Sequence, residues 1–355
     1  MKKKAISIIG TRPEIIKMYP LILKLDQLFN HKIIFSGQHF SKNMAYEIFK
    51  DLNLRKPDIN IKILDKKNLV SELIKKLIPI VKNFNPNYII YHGDTLTTLA
   101  GALIGYHIFP NIKNVHIEAG YRSKSRNSIE EKIRKIVDHH SKINFAIRRE
   151  EKNNLLNEGI NKNIYVVGNT INDTINLWKK KIKKTYPKKK YIYVTIHRSE
   201  NVDNKLRFLK ILNFLNKISN KVKIILCIHP RTEKMLYKFN LKMNNKIKII
   251  QPTNYTNNLN YLINCFFCIS DSGGIQEEAV LLGKKCFIPL NKTPHHYYID
   301  KNANELINVN NIDRISHFLI KKKIKIKKFY HQKNVSEKIC KILLKNACEI
   351  KKYIF

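Results

Sequence analysis

Carboxylates, histidines and basic residues recur where a short apolar run gives way to a longer amphipathic one. Three such places carry acids: Tyr91-His92-Gly93-Asp94-Thr95, Val115-His116-Ile117-Glu118-Ala119-Gly120, and Glu130-Glu131 with Arg134 and Asp138 behind them. A carboxylate at the end of a buried strand needs a partner or a use. A plainer reading stands beside each. Asp94 with Thr95 suits a helix N-cap. Glu130 and Arg134 have i,i+4 spacing and suit a surface ion pair.

Four further segments suit anion binding. Gly10-Thr11-Arg12-Pro13-Glu14-Ile15-Ile16-Lys17 brings Arg12 and Lys17 to the start of a helix, where the dipole already favours negative charge. His197-Arg198 and His229-Pro230-Arg231 each set a histidine beside an arginine after a strand, which points to phosphate contact. Ser272-Gly273-Gly274 after an apolar run lets backbone N–H groups approach an oxyanion. Glu278, one turn on, is placed to accept sugar hydroxyls, as the acid of dinucleotide sites does.

The elements that must hold these residues alternate. Strands are expected at Ala5–Ile9, Lys32–Phe35, Tyr88–Tyr91, Val115–Ile117, Asn144–Ile147 and Ile164–Val167, with helices at 15–29, 42–52, 96–108, 129–141, 150–158 and 170–182. The pattern breaks at the polar stretch 183–190 and restarts with strands at 191–196, 222–228, 247–250, 266–270 and 286–289, and helices at 205–218 and 273–282. Val335–Tyr353 reads as a long final helix. This is an α/β chain of two Rossmann-like domains facing across a cleft, residues 1–182 and 183–334. Every chemical segment falls at a strand's carboxyl end, where such sheets bind ligands.

Composition narrows the function. The 355 residues include 67 Lys+Arg and 27 Asp+Glu, a net charge of +40. The excess is mostly lysine spread along the whole chain, so the runs 179–184, 188–190 and 321–328 read as solvated surface rather than a nucleic-acid face. No apolar run is long enough for a membrane span, and the start is too short in apolar residues for a signal peptide, so a cytoplasmic protein is expected. Cys265 and Cys268 form a CxxC inside a strand-like run. With no second ligand pair they read as core thiols, and no metal is expected.

Taken in order, Gly10–Glu14 with Lys17, Gly37-Gln38-His39, His92-Gly-Asp94, Glu118-Ala-Gly120, His197-Arg-x-Glu-Asn201, His229-Pro230 and Asp271-Ser-Gly-Gly-Ile-Gln-Glu-Glu278 resemble the non-hydrolysing UDP-N-acetylglucosamine 2-epimerase family. That resemblance implies the glycosyltransferase-B fold, with residues 335–355 crossing back onto the first domain. It implies Asp94, Glu118 and Glu130 as acid/base groups, and Arg134 and His197 as their charge partners. It implies Arg12, Lys17, His229, Ser272, Gly273 and Gly274 for UDP, and Glu278 for the ribose. The implied reaction inverts C2 of a UDP-sugar through loss and return of UDP, without cofactor or metal, in a homodimer. Two departures stand out. Ile129 replaces the family's usual proline, and Thr293-Pro294-His295-His296-Tyr297 replaces a charged segment, which leaves a diacetamido or uronic substrate open. A hydrolysing relative, a glycosyltransferase and a basic nucleic-acid module are the competing readings.

Overall fold

The computed structural model describes residues 1–38, 42–63, 65, 67–123, 128–182, 190–293, 295–321, 324, 326 and 332–346. His39, Pro294 and residues 347–353 of the expected final helix lie outside the described residues, as does most of the polar stretch 183–190. The chain divides into two compact units, Met1–Asn176 with Gln332–Phe355, and Leu177–His331.

In the first unit seven parallel strands form one sheet. They are β1 (Lys4–Ile9), β2 (Asn30–Phe35), β3 (Ile59–Asn60), β4 (Tyr88–His92), β5 (Lys113–Ala119), β6 (Ile143–Ala146) and β7 (Ile164–Val166), in the order β3-β2-β1-β4-β5-β6-β7. β4, at the centre of the sheet, is buried at every residue, as in a sheet covered on both faces. Ile6, Ile8, Ile34 and Ile89 of the sheet meet Leu73, Leu77 and Val81 in one core. Those three lie on the helix Leu69–Phe84, whose buried face repeats every four residues and which ends on a left-handed Asn85.

The expected helix over 96–108 is in fact two pieces, an α-helix Leu96–Leu103 and a π-helical turn Ile104–Ile108. Asn114 explains the change. Its amide donates to Ala102 O at 3.1 Å and His140 O at 2.9 Å, and its side chain occupies the space a Cβ on Gly105 would need. A side chain that takes a helix carbonyl re-spaces the turn after it.

The final helix, Val335–Lys345, packs on the helix Arg12–Leu28 of the same unit. Ser336 N–H donates to Asp173 Oδ2 at 2.8 Å, and Tyr88 OH donates to Leu343 O at 2.6 Å.

In the second unit six parallel strands, β8 (Tyr191–Thr195), β9 (Lys223–Cys227), β10 (Ile247–Ile250), β11 (Phe267–Ser270), β12 (Cys286–Ile288) and β13 (Asn304–Leu306), run in the order β10-β9-β8-β11-β12-β13. Phe208, Leu212, Phe267 and Phe287 anchor its core. Cys265 and Cys268 are buried thiols without a disulfide, and burial pushes Cys265 up to about 12. No helix among the described residues is long and apolar enough to cross a membrane.

Candidate active site

Strand order reverses once in each sheet, between β1 and β4 in the first and between β8 and β11 in the second. At such a point neighbouring loops leave in opposite directions and open a crevice at the carboxyl ends. Each unit carries its chemical residues there.

In the first unit a cavity of about 460 Å³ is lined by Lys17, His92, Asp94, Glu118 and Glu130, among others. Glu118 comes off the end of β5. Its Oε2 lies 2.6 Å from Lys17 Nζ and 3.1 Å from His92 Nε2. Burial alone would raise its pKa, but Lys17 and His92 more than offset that and hold it well below the usual carboxylate range. Glu118 is therefore an ionised carboxylate. Its backbone is left-handed (φ 74°), and the ladder to β6 slips between Ile117 and Ala119. Such a conformation is costly for a residue with a Cβ and is retained where surrounding structure imposes it.

Asp94 is not the helix cap that its neighbours allowed. Thr95 caps the helix, its hydroxyl accepting from Thr98 N–H at 3.2 Å. The Asp94 carboxylate instead pairs with Arg134 Nη2. Arg134 also approaches Glu131 Oε2 at 3.4 Å and lies over the Tyr121 ring. The i,i+4 pairing expected for Arg134 with Glu130 is thus replaced by Asp94 and Glu131. Glu130 lines the cavity, exposed, and among the described residues it forms no ion pair.

Of the two cations expected at the first helix start, Lys17 is held by Glu118. Arg12 is half-buried at the helix's first position. Glu14, buried, accepts from Gly10 N–H at 2.8 Å, Thr11 N–H at 2.7 Å and Thr95 Oγ1 at 2.7 Å. Its burial raises its pKa against those hydrogen bonds. Glu14 thereby ties the loop after β1 to the loop after β4.

In the second unit Asp271, fully buried after β11, plays the corresponding tying role. Its carboxylate accepts from His197 N–H at 3.0 Å, Arg198 N–H at 2.9 Å and Asn201 Nδ2 at 2.8 Å. The His197 ring stacks on His229 with centroids 4.9 Å apart. Burial lowers the pKa of His197, although Asp271 opposes it, and burial with the neighbouring His197 lowers that of His229. Both rings are neutral near pH 7, so His197 is a hydrogen-bonding group here rather than a fixed positive charge.

Ser272 is the N-cap of the helix Gly273–Leu281. A Cβ on Gly273 would lie 2.9 Å from His295 Nε2, whereas one on Gly274 would meet nothing within 4 Å. Open space over a helix start is what an anion needs. Glu278 is buried one turn in. No group of three or more His, Cys, Asp or Glu among the described residues is arranged to hold a metal ion.

Sequence reasoning passed over His92, Glu131, Asp271 and the pair His116 and Asp138 as site residues. All five lie inside or beside the flagged segments. What was missing was which neighbour each would meet.

A family model described as UDP-N-acetylglucosamine 2-epimerase matches residues 22–344. A UDP-N-acetylglucosamine 2-epimerase of Methanococcus maripaludis is 39% identical, over 84% of this chain and 86% of that one. The Methanocaldococcus jannaschii UDP-GlcNAc 2-epimerase, crystallised with UDP-GlcNAc and UDP, superposes with a TM-score of 0.81 at 35% identity, covering 96% of this chain and 99% of its own. A UDP-2,3-diacetamido-2,3-dideoxy-D-glucuronate 2-epimerase of Pseudomonas aeruginosa is 30% identical, over 86% of this chain and 88% of that one. With this coverage, and with carboxylates and a glycine-lined helix start at the two switch points, the chain belongs to the UDP-N-acetylglucosamine 2-epimerase family.

Proposed function

We propose that this protein inverts C2 of a UDP-N-acetylhexosamine, interconverting UDP-N-acetylglucosamine and UDP-N-acetylmannosamine. The hydrogen on C2 is not beside a carbonyl, so a base alone removes it with difficulty. Elimination solves this. A carboxylate takes the C2 proton, the C2–H electrons form the C1–C2 double bond, and the C1–O bond breaks to release UDP. The 2-acetamidoglucal then regains a proton on the opposite face of C2, and UDP oxygen re-forms the bond to C1.

Glu118 carries this proposal: an ionised carboxylate, set by Lys17 and His92, on the wall of a sugar-sized cavity that Asp94 also lines. Asp94, held by Arg134, and Glu130 are the complementary acid/base groups. In the second unit Ser272, Gly273 and Gly274 would take the diphosphate with His197 and His229, and Glu278 the ribose. Arg12 adds a cation at the first unit's helix start. Neutral histidines suit this work, because arriving phosphate charge can draw protons onto them.

Incubation with UDP-N-acetylglucosamine in deuterated water tests the reaction. Deuterium at C2 with UDP still attached is the expected result. Free N-acetylmannosamine with UDP would identify a hydrolysing enzyme instead. Absence of exchange would overturn the assignment for this sugar. The diacetamido uronate is then the next substrate, since the segment around His295-His296-Tyr297 departs from the family and a relative uses that sugar.

A further inference from the structure

Two glycines flank the carboxylates of the first unit: Gly93 precedes Asp94, and Gly120 follows Glu118 by two residues. Both have positive φ, 74° and 75°. Loops of this kind are soft unless something fixes them, and proton transfer tolerates little error in position. Beneath them lie two fully buried side chains that do not line the cavity, His116 of β5 and Asp138 of the helix Ile129–His140.

His116 Nε2 is 2.9 Å from Gly93 O, and its Nδ1 is 2.7 Å from Asp138 Oδ1. A carbonyl oxygen can only accept, so Nε2 donates to Gly93 O. Asp138 in turn accepts the Gly120 N–H, with both oxygens at 3.2 Å. One buried pair therefore grips the backbone beside each carboxylate.

The pair also belongs to a closed circuit. Arg122 Nη2 lies 2.7 Å from Asp138 Oδ2, and Arg122 Nε lies 3.8 Å from Glu131 Oε1. Glu131 Oε2 is 3.4 Å from Arg134 Nη1, and Arg134 Nη2 holds Asp94. The circuit starts at the Asp94 side chain and returns, through His116, to the carbonyl of the residue before it. Asp94 is thus constrained through its carboxylate and its backbone by one set of alternating charges. A surface ion pair would not need this closure, and a core packing role would not need buried charge.

We propose that His116 and Asp138 are positioning residues for proton transfer at C2, acting through Gly93 and Gly120 on Asp94 and Glu118. This rests on the reaction proposed above. Neither residue touches substrate; each sets where a carboxylate stands.

The test compares the full-length wild type with His116→Ala, His116→Gln and Asp138→Asn in the deuterium-exchange assay, with UDP affinity and thermal stability measured on each. His116→Ala and Asp138→Asn are expected to lower kcat by about 100-fold, with KM and UDP Kd within about twofold. His116→Gln, whose amide can still donate to Gly93 O, is expected to recover about tenfold of that loss. A kcat within twofold of wild type in a folded variant overturns the proposal. So does a loss of activity that only follows a loss of folded protein, with no recovery by glutamine. If His116→Ala does not fold, Asp138→Asn decides, since it keeps the side-chain volume. A wild type that exchanges no deuterium defeats the reaction and not the tether. Amide hydrogen exchange at Gly120 then serves: about tenfold faster exchange in Asp138→Asn supports the tether, and an unchanged rate removes it.

Discussion

The two units solve the same topological problem and put different chemistry on it. Each is a parallel sheet with one reversal of strand order, and each has one buried carboxylic acid that laces adjacent loops together, Glu14 in the first and Asp271 in the second. Beyond that they diverge. The first unit surrounds its switch point with paired charges: Glu118 with Lys17 and His92, and Asp94 with Arg134. The second uses its buried Asp271 to clamp backbone N–H groups, and sets stacked neutral imidazoles and a bare glycine at a helix start. The difference teaches what each can do. Paired carboxylates on a cavity wall suit proton transfer, whereas neutral donors and backbone N–H groups suit an anion that arrives with its own charge.

Separating the two functions by mutation is the strongest way to break this contrast. Asp94→Asn or Glu118→Gln is expected to lower C2 exchange by about 1,000-fold while UDP affinity, by calorimetry, stays within about twofold. Loss of UDP binding in either variant would mean that the first unit's acids serve binding, and the contrast would fail.

Glycines sharpen it next. A Cβ on Gly120 would lie 2.2 Å from Glu151 O, at φ 75°, so Gly120→Ala is expected to cost about 2–4 kcal/mol of stability in denaturant unfolding. Gly274→Ala has room in the free protein. It is expected to leave stability unchanged and to weaken UDP by about tenfold, because the methyl would occupy the anion's space. Equal destabilisation by both would remove the distinction between a packing glycine and a binding one.

The smallest effect is in pH. Burial holds His197 and His229 below the ordinary histidine value of 6.5. Diphosphate charge raises them on binding, so the complex takes up protons and affinity rises as pH falls toward and below that value. UDP affinity is expected to be a few-fold tighter at pH 6 than at pH 7.5 beyond whatever change the double variant His197→Asn/His229→Asn retains. An identical pH slope in the variant would show that neither ring takes up the proton.

Much of the architecture was legible because parallel strands buried on both faces are near-continuous apolar runs, as at Tyr88–Tyr91 and Phe267–Ser270. The helix Leu69–Phe84 escaped that reading. It carries Pro79 in its interior, a residue that ordinarily ends a helix, yet its apolar face is buried from Leu69 to Phe84. The second unit's helices Pro230–Phe239 and Tyr255–Asn264 escaped it too. Proximity alone can also mislead. His31 stands 2.8 Å from Ser7 Oγ and 2.6 Å from Asp26 Oδ1, the spacing of a hydrolase triad, but Ser7 is fully buried in mid-strand and the group is structural. Burial opposes ionisation of Asp26, yet His31 and Arg55 bring it down to about 2.

Residue order alone determined the fold class and the loops that carry the chemistry, since hydrophobic periodicity and strand-end motifs are local properties of the chain. Which acid meets which base was decided only in three dimensions. Lys17 and Glu118 are 101 positions apart, Asp94 and Arg134 are 40 apart, and no local pattern encodes such meetings. Strand order brings those loops together, and the charge state of Glu118 follows from its partners and its burial, neither of which exists until the sheet has formed.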